Sequence, residues 1–274
     1  MSRPVRRGLN WVEVLVVIAI GVVAIGLFLP SVRRVREPAE RMTCMNNLKQ
    51  LTLAMFNYVD SGRPREKSSS TLPPDAADGY FPTGCLGGGT KPEDRLSWQV
   101  GLLPFLEQDL LHHQFDMAKG YAGNLPAAKT TIKIFRCPTS APELKDNPIS
   151  NYVAMAGIGH DAATRPAGAN GNGMMGYDRL TSLSMIKDGT SNTIAMIETE
   201  ASVGPWARGG ASTLRGFDPA TDALQSERKP FGAHANVINA AMLDGSVRPL
   251  DYTIDPRVLA ALITIAGGEA VDSN

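Results

Sequence analysis

The chain has 274 residues, 27 Lys and Arg against 27 Asp and Glu, a formal net charge of zero and 43% hydrophobic residues. That length suits one sizeable domain or two small ones, and the balanced charge excludes a whole-chain electrostatic footprint for nucleic acid. Three cysteines, Cys44, Cys85 and Cys137, stand without a Cys-x-x-Cys spacing, which argues against a thiolate zinc site and leaves at most one disulfide and one thiol.

The N-terminus opens on a basic leader with Arg3, Arg6 and Arg7, and Val14 to Leu29 follows as a run without charge. As a helix, Leu9 to Leu29 would be about 31 Å long, close to the ~30 Å hydrocarbon core of a bilayer. Arg33, Arg34 and Arg36 follow it. Positive charge on both sides weakens the orientation signal, and the leader arginines place the N-terminus in the cytoplasm. Glu13 stands inside this region. An acidic residue at mid-bilayer costs roughly 2.5–3.5 kcal/mol, and such residues usually have a partner. A secretory signal would end in an Ala-x-Ala-like small-residue site, and "PSVRRVREPAERM" offers no such site. A plain anchor leaves Glu13 unexplained. Gly21, Gly26 and Pro30 weaken the segment, and a kink is expected at the proline.

The helix is expected to continue. Met42, Met45, Leu48, Leu51, Met55 and Val59 recur every three or four residues, an amphipathic pattern that lies against a core. Arg41, Asn46, Asn47, Lys49, Gln50 and Asn57 fill the other faces. "DSGRPREKSSSTLPPDAADG" reads as a long polar loop. Farther on, "KDGTSNTIAMIE" reads as a turn at Asp188-Gly189 feeding a strand through Ile197. "NVINAAMLDGSVRPL" reads as a hairpin with Asp244-Gly245 in a type I′ turn, both at positive φ. His234 enters that hairpin. "DPRVLAALITIAG" reads as a C-terminal helix capped by Asp255, with Pro256 in its first turn and Gly267 beyond its end.

Enzyme and metal signals are thin. "GCLGGGTK" lacks the Gly-Lys-Ser/Thr order of a phosphate loop. His112 and Asp116 lie one helical turn apart, but two ligands do not make a site. His112, His113, His160 and His234 show no metalloprotease spacing, and no Gly-x-Ser-x-Gly is present. "DGTSNT" and "DGSV" fall short of a calcium loop. No metal or other cofactor is expected. His234 reads as a structural residue before it reads as a catalytic or metal-binding one.

"RRGLNWVEVLVVIAI" resembles the prepilin N-terminus of type IV pilins and type II secretion pseudopilins: a short basic leader, a Gly, a cleavage point, then an apolar helix with Glu at its fifth residue. The resemblance implies cleavage by a prepilin peptidase after Gly8, N-methylation of Leu9, and Glu13 as an assembly residue that pairs with the Leu9 amine of a neighbouring subunit. Leu9 stands where Phe is usual, and "LNWVE" replaces the more usual "FTLIE".

A second resemblance is narrower. His234, nine residues, then Asp244-Gly245 is similar to the C-terminal His-x9-Asp-Gly element of a large bacterial family of pilin-like proteins of unknown function. "CMNNLKQLTLAMFNY", "SWQVGLLPFLEQ", "FRCP", "NYVAMAG", "DGTSNTIAMIE" and "IDPRVLAALITIAGGEAV" match that family in order. Cys44 and Cys137 fall in matching pieces and Cys85 does not, so in an extracytoplasmic domain a Cys44–Cys137 disulfide would fasten the helix to the sheet.

The expectation is an α+β, pilin-like fold: a long N-terminal helix, transmembrane in its first half, packed on an antiparallel sheet with long loops. Residues 1–8 form the leader, 9–30 the transmembrane segment, 31–60 its amphipathic continuation and 61–274 the soluble domain. The expected role is a structural subunit, not an enzyme. It would be held single-pass in the inner membrane, with its C-terminal domain periplasmic, and drawn into a type II secretion or type IV pilus-like fibre. Its partners would be a prepilin peptidase, other pilin-like subunits and the inner membrane. The alternatives are a membrane-anchored binding module that does not assemble and an anchored hydrolase using His234.

Overall fold

The structure is a computed structural model that describes residues 10–62, 79–140, 147–225, 229–234 and 237–268; within the first helix, side chains of residues 24–36 are outside the description. The leader with Gly8 and Leu9, and nearly all of the expected polar loop, also lie outside the described residues.

Helix α1 spans Trp11–Asp60, with Asn10 as N-cap. The Asn10 backbone N–H donates to the Glu13 carboxylate at 3.1 Å, the reach of a capping-box glutamate at the third helical position. The helix is assigned without a break through Pro30 and Pro38, so the proline does not end it. A proline forfeits one backbone hydrogen bond, and the turns on either side carry the helix past it. From Trp11 to Val23 the side chains are exposed all round, Trp11 at 73% and Val17 at 66%. Among the described residues no helix is long and apolar enough to cross a membrane. The described apolar stretch stops at Val23, and the rest of the expected span has side chains outside the description.

The second half of α1 is docked. Cys44, Leu48, Leu51, Met55, Tyr58 and Val59 are buried, one stripe at the 3.6-residue period. The stripe is the expected one at Leu48, Leu51, Met55 and Val59 and departs from it only in its first turn. Met42 is 72% exposed and Cys44 takes the inward place. Asn47, expected on the outer face, is buried, and its amide donates to the Arg136 carbonyl at 3.0 Å and the Tyr152 hydroxyl at 3.2 Å. An amide can point inward when buried acceptors await it.

Among the described residues nine strands follow: β1 (Cys85–Leu86), β2 (Leu96–Ser97), β3 (Ile149–Ser150), β4 (Tyr152–Ile158), β5 (Ile194–Glu198), β6 (Gly204–Pro205), β7 (Leu214–Phe217), β8 (Val237–Met242) and β9 (Val247–Asp251). β1 pairs with β2 and β3 with β6; the main sheet runs β7-β4-β5-β8-β9. The sheet is mixed, not antiparallel as expected, because β7 lies parallel to β4. β5 occupies one edge of β4, and the returning chain covers the other, leaving no open edge at the centre of the fold.

Side chains of β4 alternate between two cores. Tyr152, Ala154 and Ala156 face the α1 side; Val153 and Met155 face the C-terminal helix Pro256–Ile263. This is the period of two expected of a strand buried on both faces. The ladder between β5 and β8 shifts register between Ile194 and Met196. Ala195 and Met196 consequently both join the α1-side core, and Glu198 ends β5 buried. The C-terminal helix has the expected cap, with the Asp255 carboxylate accepting from the Arg257 N–H at 2.8 Å. Asp188 accepts from the N–H groups of Gly267 and Gly268 at 2.7 and 3.0 Å, so the first expected turn anchors the chain beyond that helix.

A buried guanidinium organises the excursion after β4. Arg179, 5% exposed, donates to the carbonyls of Ala156, Ala162, Arg165, Gly173 and Met175 and to Asn172 Oδ1, at 2.6–3.2 Å. Burial pulls its pKa down to about 10, so it stays charged at neutral pH. Removing it strands several buried carbonyls, each costing about 1–3 kcal/mol. Arg179→Met is expected to lower the unfolding free energy by about 3 kcal/mol or more in urea titrations; a loss below about 1 kcal/mol would refute this role.

The Asp244-Gly245 turn differs from the expected type I′. Only Gly245 has positive φ, at 84°. The Gly245 N–H donates to the Met242 carbonyl and the Met242 N–H to the Ser246 carbonyl, a three-residue loop closed by a left-handed glycine. Asp244 Oδ1 accepts from the Ser246 N–H at 2.8 Å. Asp244 thus serves by hydrogen bonding and Gly245 by conformation. Gly245→Ala is expected to cost about 1–2 kcal/mol, and Gly245→Asn, which tolerates left-handed backbone, measurably less in the same titration.

Candidate functional site

Four side chains from four parts of the chain converge beneath α1. Cys44 is the first buried residue of the α1 stripe. Cys137 follows the short 3-10 turn Lys133–Phe135, and its N–H donates to Asn151 Oδ1 at 3.0 Å. The two cysteines are joined in a disulfide, Cα to Cα 5.3 Å, across 93 residues. Glu198 ends β5, and His234 lies in the segment leading into β8. The Glu198 and His234 side chains are 0% and 2% exposed.

Each is held by its surroundings. The Glu198 oxygens accept from the Asn239 backbone N–H and the Asn239 amide, both at 2.9 Å. Asn239 Oδ1 accepts from Arg41 Nε at 3.3 Å. The His234 segment is tied to the end of β5: the Gly232 N–H donates to the Glu198 carbonyl at 2.7 Å, and the Glu200 N–H to the Gly232 carbonyl at 3.2 Å. Gly232 is required there, because its φ is 93° and a Cβ would overlap the Tyr252 hydroxyl. That hydroxyl donates to the His234 carbonyl at 3.1 Å.

The imidazole sits among these groups with little to bond. His234 Nε2 lies 3.6 Å from Cys137 Sγ and 3.6 Å from Glu198 Oε2. Nδ1 is buried without a hydrogen-bond partner among the described residues. Burial, and then the nearby Arg41 charge, hold its pKa below the usual histidine value, against opposing Glu37 and Glu40. Burial pushes the Glu198 carboxyl up to about 7, against the pull of its Asn239 hydrogen bonds.

His234 also lines a cleft of about 850 Å³ whose wall includes Tyr177, Glu200, Arg215 and Lys229. Lys229 Nζ stands 3.7 Å from the centre of the Tyr252 ring. Burial brings the Arg215 pKa down to about 10.

Residues 33–229 match the model of a family described as a protein of unknown function, DUF1559 (SBP_bac_10). The chain belongs to this family. No curated protein and no solved structure matches it. The DUF1559 match includes Cys44, Cys137 and Glu198. It begins after Glu13 and the apolar run and ends before His234, Asp244 and Gly245.

Of the residues singled out from sequence, Cys44, Cys137 and His234 come together here. Glu13 stands at the exposed start of α1. Asp244 and Gly245 lie beyond the other end of β8 from His234, about 20 Å of strand away, so the His-x9-Asp-Gly element does not close into one site. Asp116, one turn from His112, pairs with Lys119 at 3.0 Å. Cys85 is the buried free cysteine, its thiol pushed up to about 11 by burial. Sequence reading missed Glu198 and Asn239. The available signal was a carboxylate ending the apolar run "IAMIE", a position where a buried charge needs partners.

The Glu198 shift sets a pH dependence for the oxidised, metal-free chain. The unfolded carboxyl titrates near 4.5 and the folded one near 7. Between those values the folded state keeps a proton the unfolded state has lost, so stability falls as pH rises through that window. The His234 shift acts oppositely: below about 6.5 the unfolded imidazole takes up its proton first, and stability falls as pH drops. Glu198→Gln is expected to remove only the first component. The wild type should lose up to about 3 kcal/mol relative to the variant from pH 4.5 to 7, read by urea unfolding at each pH. Parallel profiles would show that folding does not raise the Glu198 pKa.

Proposed function

We propose that this DUF1559 chain is a pilin-like structural subunit, anchored in the inner membrane with its N-terminus cytoplasmic. It is processed by a prepilin peptidase between Gly8 and Leu9 and assembled with similar subunits into a type II secretion or type IV pilus-like fibre. The observation that carries this reading is the form of α1. Its second half is a wall of the domain core, while Trp11 to Val23, Glu13 apart, present exposed apolar side chains on every face, with nothing among the described residues burying them. Burying such side chains in lipid or among neighbouring helices favours that state by about 1.5–3 kcal/mol each, enough together to outweigh one carboxylate near the end of the run.

Glu13 has two uses in this reading. In the single chain it closes the helix cap through the Asn10 N–H. In a fibre it pairs with the free amine that cleavage creates at Leu9 of a neighbour, a contact stronger in low dielectric than in water. A secondary reading, an anchored binding module, is favoured by the cleft beside His234; such a module would keep its ligand without assembling.

Glutamine also serves a capping box, so Glu13→Gln separates charge from cap. The wild-type N-terminal peptide recovered from native membranes is expected to start at Leu9 with one added methyl. Glu13→Gln is expected to reach the membrane with its fold intact but enter sheared fibres at least about tenfold less, the scale of losing about 1.4 kcal/mol or more. An intact Met1 would sink the processing step. Normal incorporation of the variant would reduce Glu13 to a cap.

A further inference from the structure

We propose that Cys44, Cys137, Glu198 and His234 form a redox-gated site for one zinc ion, closed to metal by the disulfide and opened when that bond is reduced. The four ligand-type atoms lie within 4.8 Å of one another and all four residues are buried. A disulfide by itself has no need of a buried carboxylate and a buried imidazole beside it. This imidazole lacks a short hydrogen bond at either nitrogen among the described residues.

The spacing fits a tetrahedral ion. Zinc–sulfur bonds of about 2.3 Å and zinc–nitrogen or zinc–oxygen bonds of about 2.0–2.2 Å put ligand atoms roughly 3.3–3.8 Å apart. His234 Nε2 is 3.6 Å from both Cys137 Sγ and Glu198 Oε2. The remaining change is separation of the two sulfurs once their bond is broken, a movement of side chains on backbones 5.3 Å apart. Two thiolates, one imidazole and one carboxylate suit zinc better than a hard cation. Outer partners are in place: Asn239 orients the carboxylate, Asn151 holds the Cys137 backbone, and Arg41 adds positive charge beside a site whose three anions outweigh the ion. The cleft lined by His234 offers an entry path. The absence of a Cys-x-x-Cys spacing therefore does not exclude a thiolate site; here the thiolates come from segments 93 residues apart.

The chemistry balances in two steps. An external dithiol is oxidised to its disulfide as the Cys44–Cys137 bond is cleaved, delivering two electrons and two protons and leaving two thiols. Zn(II) then forms bonds to both sulfurs, releasing their two protons and any proton on Glu198 to solvent. The His234 Nε2 lone pair and a Glu198 oxygen complete the tetrahedron, and no electron moves in this step. The site is independent of whether the chain assembles.

The test uses the full chain in detergent, reduced anaerobically with a dithiol, desalted and titrated with Co(II) as a spectroscopic probe. The expected result is one Co(II) per chain with tetrahedral visible bands and a thiolate charge-transfer band, displaced by one equivalent of Zn(II). The oxidised chain should give none of these. Cys85→Ser should keep the signal, and His234→Gln and Glu198→Gln should each weaken binding about tenfold or more. A reduced, folded chain without the thiolate band overturns the proposal, as does a spectrum and affinity unchanged in both variants. If reduction unfolds the chain by circular dichroism, Zn(II) should restore the fold; failure to do so also overturns it.

Discussion

The docking of the second half of α1 against the mixed sheet is the contact on which the rest of the structure depends. Leu48, Leu51 and Met55 bury fully, and in a close-packed interior each such side chain is tied to the shape of its neighbours. The interface is held by more than apolar contact. Asn47 bonds the Tyr152 hydroxyl on β4, and the Cys44–Cys137 bond closes a loop of 93 residues, which in chain-entropy terms destabilises the unfolded state by about 4–5 kcal/mol. The buried face of α1 and the β5 end are thereby fixed relative to each other, and Glu198 and His234 are fixed with them.

In the proposed reading, that same helix links the domain to its surroundings. The residues that build the core and those that stay exposed are successive stretches of one rod, so the domain has no long linker between its apolar N-terminal segment and its sheet. A pull or a packing contact on the first half would act directly on the interface that carries Cys44. The redox state of the disulfide bears on the same interface, since reduction relaxes the covalent tie while zinc, once bound, replaces it with bonds to the same two sulfurs. Assembly and metal binding are separate proposals, yet both act on α1.

Much of the local structure was legible in the residues. The apolar period of residues 48–59, the cap at Asp255 and the turn glycines follow from side-chain chemistry over a few positions. The failures share one cause. Met42 rather than Cys44 was placed inward because both fit a period of three to four, and only the facing sheet selects between them. The hairpin dipeptide Asp-Gly suits several loop types, and the register of β8 on β9 chose a three-residue loop. The parallel β7 was unreadable because strand neighbours far apart in sequence leave no local mark.

The candidate site divides along the same line. Sequence by itself determined that Glu13 is a charge out of place in an apolar run and that three cysteines allow one disulfide at most, since these rest on residue type and order; the Cys44–Cys137 pairing and the His234 motif were only what a family resemblance implied, and the structure supplied the bond. Only the tertiary structure decided that Cys44, Cys137, Glu198 and His234 share one buried volume, and that Asp244 and Gly245 do not join them. A strand carries its two ends about 20 Å apart, while a disulfide and a sheet ladder bring residues 44, 137, 198 and 234 within a few ångströms. Proximity of that kind is a product of packing, which residue order constrains but does not display.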